Sequence, residues 1–194
     1  LQASQVQLVL IAMSALDLVL ARAVLSTNEA GLYAVGAVAS KAAFWLPQAV
    51  GVVLYPRMAD PVHSASAVRS ALAVVAGLGT VLVIGGAVAS PLLPLVVGDT
   101  YSGVQGYVWL FVLQGACLAV LQSALLWAIA GERTHLALVA WFALAVEVVL
   151  LLFVASTLAQ FVTVAAVTAA VTMVVVVGLV LWGGGVSRQR DGSR

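Results

Sequence analysis

The chain has 194 residues, of which 64% are hydrophobic and 8% are charged, and its formal net charge is +1. Soluble domains carry about 25% charged residues, so this composition and a mean hydropathy of +1.19 exclude a soluble globular fold. They predict an all-α, polytopic protein whose partner is the lipid bilayer, and they indicate no nucleic-acid partner.

Six apolar runs are long enough to cross a membrane as helices. A bilayer core of about 30 Å requires about 20 apolar residues per helix, and helices are expected because lipid cannot satisfy a bare backbone. The predicted spans, in chain order, are 6–25, 31–56, 68–90, 107–130, 136–155 and 160–182. The glycines of "GLGTVLVIGG" (77–86) indicate close packing of the third span against a neighbouring helix.

The basic residues of the connections predict the orientation. Cytoplasmic loops carry an excess of Lys and Arg. With six spans, the second and fourth connections and the tail 183–194 share six arginines, and the other three connections have none. The six are Arg57, Arg69, Arg133, Arg188, Arg190 and Arg194. This asymmetry predicts that both termini are cytoplasmic and that the tail is a basic cytoplasmic segment.

Four ionisable residues fall within the predicted spans, and each costs about 2.5–3.5 kcal/mol at a helix centre. They are Asp17, Arg22, Lys41 and Glu147. At 1.5 Å per residue, Asp17 and Lys41 lie roughly 15 and 21 Å from a turn near Thr27. We therefore expect them to lie within reach of each other across the first hairpin. Arg22 is near enough to the outer interface for its side chain to extend there.

The second span carries a polar stripe. Lys41, Gln48 and Tyr55 are seven residues apart and share one slowly drifting helix face. Two interpretations stay open: a buried salt bridge that only fixes helix register, or a water-filled cavity lined by the stripe. Pro47 removes a helix hydrogen bond in mid-span, which predicts a bend and a hinge at this position.

The fifth span contains Glu147 on an otherwise apolar face, where it is either a coupling-ion site or a partner for another helix. No phosphate-binding loop, HExxH motif or Cys/His cluster occurs, and His63 and His135 are solitary loop residues. The single Cys117 excludes a disulfide framework within one chain. We predict no enzyme activity, no metal site and no cofactor beyond a possible coupling H⁺ or Na⁺.

The stretch "LDLVLARAVLSTNEAGLYAVGAVASKAAFWLPQAVGVVLYPRMAD" resembles the start of the second half of polysaccharide and lipid-linked oligosaccharide exporters. These belong to the multidrug/oligosaccharidyl-lipid/polysaccharide (MOP) flippase superfamily, which also contains the lipid II flippases and the MATE exporters. The matching residues are Asp17, Arg22, Gly31, Tyr33, Pro47, Pro56 and Arg57. The resemblance implies one six-helix lobe of a two-lobed transporter, with the first two helices lining a central cavity.

The resemblance further implies a flippase or exporter of a lipid-linked saccharide or polysaccharide precursor in a bacterial cytoplasmic membrane. This chain would be its C-terminal lobe, with the N-terminal lobe as its partner. Lys41 and Arg22 are expected to meet an anionic substrate, Gln48 to line its path, and Asp17 to hold Lys41 or a coupling ion. The alternatives are a MATE-like multidrug exporter and a non-transporting membrane scaffold for a glycan-synthesis enzyme.

Overall fold

The structure is a computed structural model that describes the backbone of residues 2–58, 64–130 and 135–191, and the side chains of residues 5–6, 8–47, 69–128 and 136–182. All regular structure in these ranges is helical. Seven α-helices and two 3₁₀ segments follow one another: α1 (Gln2–Val24), α2 (Thr27–Met58), α3 (Ser64–Ala89), the 3₁₀ segment Ser90–Leu92, α4 (Leu93–Val97), the 3₁₀ segment Asp99–Tyr107, α5 (Val108–Ala130), α6 (His135–Phe153) and α7 (Leu158–Asp191).

Helix α5 is the centre of the bundle. In its apolar stretch, 78% of the residues are buried, against 11% for the stretch that begins in α3. It packs most extensively on α2, α3 and α7, and α1 packs on α6, α5 and α2. Helix α5 is apolar on nearly every face, as expected for a helix that is surrounded by other helices.

Glycines let α5 approach its neighbours closely. A Cβ atom at Gly115 would overlap the carbonyl oxygen of Ser40 on α2, and one at Gly36 would overlap the ring of Phe111. On α3, a Cβ atom at Gly79 would lie 3.0 Å from the Cβ atom of Ala116 on α5. Close packing of the glycine-rich third helix is therefore confirmed for this position.

Four helical segments in the described residues are long and apolar enough to cross a membrane: Arg69–Val97, Asp99–Ala128, Leu136–Phe153 and Leu158–Trp182. They correspond to the last four predicted spans. The first two predicted spans also form helices, α1 and α2, and their crossing of the membrane stays a prediction.

The third connection, between the predicted spans 68–90 and 107–130, is largely helical. Its residues form α4 and the two flanking 3₁₀ segments, with a break at Gly98, where φ is +90°. Pro91 and Pro94 occupy the first turns of Ser90–Leu92 and α4, where proline's missing N–H costs no helix hydrogen bond. Proline and glycine therefore shape short helices here instead of preventing them.

The carboxylate of Glu29 connects two helix N-termini at the end of the bundle predicted to be outside. Ser26 Oγ donates to Glu29 Oε2 at 2.7 Å, and the backbone N–H of Glu29 donates to Ser26 Oγ at 3.3 Å. The backbone N–H of Leu158, the first residue of α7, donates to Glu29 Oε1 at 3.2 Å. A capping box of α2 thus also satisfies a free N–H of α7.

Candidate functional site

The candidate site is a buried polar network around Asp17 on α1. The side chain of Asp17 is only 5% exposed. Its Oδ2 accepts hydrogen bonds from Tyr33 Oη and from Gln114 Nε2, both at 2.8 Å, and its Oδ1 accepts one from the backbone N–H of Leu18 at 2.7 Å. Three donors therefore surround one carboxylate, and hydrogen bonds to charged groups are the stronger class.

Aromatic packing holds the Tyr33 hydroxyl in place. The ring of Tyr33 is fully buried and makes edge-to-face contacts with Phe111 and Phe161, at centroid distances of 5.0 and 5.1 Å. Offset and edge-to-face pairs are the favoured arrangement of aromatic rings. Gly36, one turn after Tyr33, leaves the space that the Phe111 ring occupies. The two phenylalanine rings and the space left by Gly36 thus hold the Tyr33 hydroxyl next to Asp17 of α1.

Gln114 joins the network from the central helix. Its side chain is 1% exposed, and its Oε1 accepts a long hydrogen bond of 3.5 Å from Ser40 Oγ on α2. Gly115 permits this contact, because any side chain there would separate α5 from the backbone of α2 at Ser40. Donors from α2 and α5 therefore converge on a carboxylate of α1.

Glu147 brings a second carboxylate to the network from α6. Its side chain is 3% exposed, and its Oε2 has no hydrogen-bond partner among the residues that the structure describes. It lies close enough to Asp17 and Tyr33 to interact electrostatically with both. A buried carboxylate oxygen without a hydrogen bond lowers the stability of the folded state, so this atom requires a functional or structural explanation.

The four helices contribute their polar residues at one level. Asp17 lies seven residues before the end of α1 and Glu147 six before the end of α6; Tyr33 and Gln114 each lie six residues after the start of α2 and α5. At 1.5 Å per residue, all four are about 9–10.5 Å from the helix ends on one side of the bundle. The network is therefore a single layer across the helix bundle.

Lys41 is not part of this layer. Its side chain is exposed, and the described residues contain no ion pair between it and Asp17, whose carboxylate bonds Tyr33, Gln114 and Leu18 instead. The reason is helix phase: Ser40 faces α5, and Lys41 is about 100° further around α2. The expected Asp17–Lys41 pair is therefore replaced by a Tyr33–Asp17–Gln114 network.

The other predicted site residues are placed as follows. Arg22 is exposed near the end of α1, as expected for a side chain that extends to the interface. Pro47 is buried, and α2 continues as a helix across it, so the predicted bend stays a prediction. The side chain of Gln48 lies outside the described residues. The water-filled cavity expected beside these residues also stays a prediction.

Sequence reasoning missed Tyr33 and Gln114 as site residues. Tyr33 entered only as a motif residue, and Gln114 was not singled out. A signal for Gln114 exists, since it is the lone amide in the apolar run "WLFVLQGACLAVL". Its partner could not be read from the sequence because Asp17 is 97 residues away along the chain.

A separate apolar groove of about 230 Å³ lies between α3, α5 and α7. Its one hydroxyl, that of Thr80, donates to the backbone carbonyl oxygen of Ala76 on the same helix at 2.8 Å, and Cys117 adds a thiol to the lining. The groove is lined by Ala76, Gly79, Thr80, Val83, Leu113, Ala116, Cys117, Val120 and Met173. It does not include the Asp17 network.

No group of three or more His, Cys, Asp or Glu side chains in the described part of the chain could hold a metal ion. No family model, curated protein or solved structure matches this chain.

Proposed function

We propose that this chain is one lobe of a membrane transporter that moves an anionic lipid-linked saccharide or polysaccharide precursor across the cytoplasmic membrane. The proposal combines the resemblance of residues 14–60 to MOP-superfamily exporters with the position of Lys41. Its single supporting observation is an exposed lysine in the middle of a long helix, where the other exposed side chains between Ala34 and Leu46 are all apolar.

Lys41 is 14 residues from the start of α2 and 17 from its end. At 1.5 Å per residue it is about 21 Å and 26 Å from the two helix ends, which is beyond the reach of its side chain. Its neighbours on the exposed face, Val38 and Trp45, are each 67% exposed. A charge at this depth is costly against lipid tails and is typical of substrate paths.

On this proposal, the face of Val38, Lys41 and Trp45 lines a hydrated path shared with a second lobe. There the ammonium group of Lys41 meets the phosphate groups of the substrate. Asp17 is already bonded by its own donors, and Lys41 has no carboxylate partner among the described residues, so its ammonium group is available to an external anion.

The test is binding of a polyprenyl pyrophosphate to the purified protein in lipid nanodiscs, measured for wild type, Lys41→Gln and Arg69→Gln. Arg69 is an exposed cation in α3 and serves as the matched control. We expect Lys41→Gln to weaken binding by tenfold or more, since a charge-assisted hydrogen bond contributes about 1.5–3 kcal/mol and tenfold corresponds to about 1.4 kcal/mol. Arg69→Gln should leave binding unchanged.

Equal binding by both variants and wild type would contradict the proposal. So would equal affinity for the uncharged polyprenol, because Lys41 would then not recognise an anion. Binding of a lipophilic cation instead of the pyrophosphate would indicate the multidrug exporter.

A further inference from the structure

The two buried carboxylates of the network have opposite surroundings. Asp17 accepts hydrogen bonds from the phenol of Tyr33, the amide of Gln114 and the backbone of Leu18. Glu147 Oε2 accepts none among the described residues, although the Glu147 side chain is 97% buried. Donors stabilise an ionised carboxylate, whereas a carboxylate without them is stable in an apolar interior mainly when it is neutral.

The groups that face Glu147 offer it no cation. Helix α6 packs on α1, α7 and α5. Between Leu158 and Trp182, where the side chains of α7 are described, this helix has no titratable group, and α5 contributes only Cys117, which lines the separate groove. Helix α1 contributes Asp17, a like charge, and Arg22, which is exposed closer to the helix end. From α2, Tyr33 lies nearby and its hydroxyl is committed to Asp17.

We infer that Glu147 is the proton-binding residue of this site and that Asp17 is a fixed carboxylate whose oxygens are held by hydrogen-bond donors of the protein. The proton is bound as an O–H bond on the Glu147 carboxyl and leaves as H⁺ to water or to the next acceptor. The sequence left both Asp17 and Glu147 as candidates for a coupling ion, and the hydrogen bonds of Asp17 favour Glu147.

A proton fits the site better than a metal cation. A cation between the two carboxylates requires several oxygen ligands, but Oδ2 of Asp17 is occupied by an N–H and an O–H donor whose hydrogens point toward it. Those hydrogens would repel a cation. A proton needs only the free oxygen of Glu147. As an extension that rests on the proposed function, Glu147 is then the residue that exchanges a proton during transport.

Infrared difference spectroscopy of the full chain in nanodiscs at neutral pH tests the assignment without any transport measurement. A protonated, buried carboxyl group has a C=O stretching band that carboxylates lack. We expect this band in wild type, its loss in Glu147→Gln and its retention in Asp17→Asn. Glu29→Gln, which changes an outer capping carboxylate, is the matched control and should retain the band.

Isotope labelling of the wild-type chain covers the case in which Glu147→Gln does not fold. Carboxyl-¹³C glutamate should shift the band, and carboxyl-¹³C aspartate should not. A band that shifts with labelled aspartate, or that is lost in Asp17→Asn and kept in Glu147→Gln, would place the proton on Asp17 and overturn the inference. Absence of the band in wild type, or its loss when potassium is replaced by sodium, would equally overturn it. None of these outcomes depends on polyprenyl pyrophosphate binding, so the inference and the proposed function can fail separately.

Discussion

At the scale of single residues, Tyr33 has two separable roles in the network. Its hydroxyl donates to Asp17, and its ring fills the space between Phe111 and Phe161. Removing a donor from a buried charged acceptor is expensive because the acceptor has already lost its water. Removing the ring adds a cavity to that cost.

Tyr33→Phe tests the hydroxyl alone. We expect it to lower the free energy of unfolding by about 1.5–3 kcal/mol, the range for hydrogen bonds to charged groups. Tyr33→Ala should cost about 3–5 kcal/mol, as large-to-small changes of buried aromatic residues do. Reversible unfolding in mixed detergent measures both, with Tyr101→Phe as a control. Equal stability of Tyr33→Phe and wild type would show that the hydrogen bond contributes nothing.

At the scale of helices, the crossing of α2 and α5 depends on one missing side chain. Gly115 lies where the backbone of α2 at Ser40 passes, and the contact keeps Gln114 level with Asp17. Gly77 on α3 is a matched comparison, because a Cβ atom there has no heavy atom within 4 Å. The two glycines therefore differ in their surroundings and not in their helical backbone.

Gly115→Ala should destabilise the bundle by about 1–3 kcal/mol or more, since overpacking against backbone cannot relax by a rotamer change. Gly77→Ala should be neutral or stabilising by up to about 1 kcal/mol, because alanine is the better helix former. Thermal unfolding of the two variants in the same detergent checks the contrast. Similar destabilisation of both would mean that α2 and α5 do not approach as closely as described.

The turn between α1 and α2 joins α7 through Glu29, and this junction is pH-dependent. Glu29 precedes the predicted membrane span 31–56. The pKa of its carboxyl lies below the ordinary value of 4.5, because the hydroxyl of Ser26 and, to a lesser extent, the backbone N–H of Leu158 donate hydrogen bonds to it. A carboxyl whose pKa is lower in the folded state contributes stability that is fully present above the unfolded-state pKa. That contribution is lost as the pH falls through the folded-state pKa.

We therefore expect the stability difference between wild type and Glu29→Gln to be constant above about pH 5 and to shrink below it. A double-mutant cycle of Glu29→Gln and Ser26→Ala, measured above and below about pH 5, isolates the contribution of the hydrogen bond between Ser26 and Glu29. If the difference grew on acidification, the carboxylate would be stabilising in its neutral form, and the capping role would be wrong.

At the scale of the whole molecule, six spans place Asn28 and Ser187 on opposite sides of the membrane. The six-span topology predicts that Asn28→Cys is labelled from outside and Ser187→Cys from inside, by a thiol reagent that does not cross membranes. The background carries Cys117→Ala, because Cys117 is the only cysteine of the chain. Labelling of both positions from the same side would contradict the topology.

The helical class, four helices of membrane-crossing length and the close packing of α3 at Gly79 could be predicted from the sequence. These properties are local: a run of apolar residues specifies a membrane-length helix because of backbone hydrogen bonding and lipid alone. Asp17 and Glu147 were also identifiable, because charges inside apolar runs are visible without knowing their neighbours.

Which polar groups meet was decided by the tertiary structure. Asp17 was expected to meet Lys41 from depth alone, but residues of α2 at similar depth point in different directions, and the rotation of α2 is set by its contact with α5. The interdigitation of Gly36 with Phe111 and of Gly115 with Ser40 turns Tyr33 and Ser40 inward and Lys41 outward. Packing between residues that are far apart in sequence thus selected the partners of Asp17 and left Glu147 Oε2 without a hydrogen bond among the described residues. The sequence of one helix does not show these contacts, because the fit between two helices depends on the side chains of both.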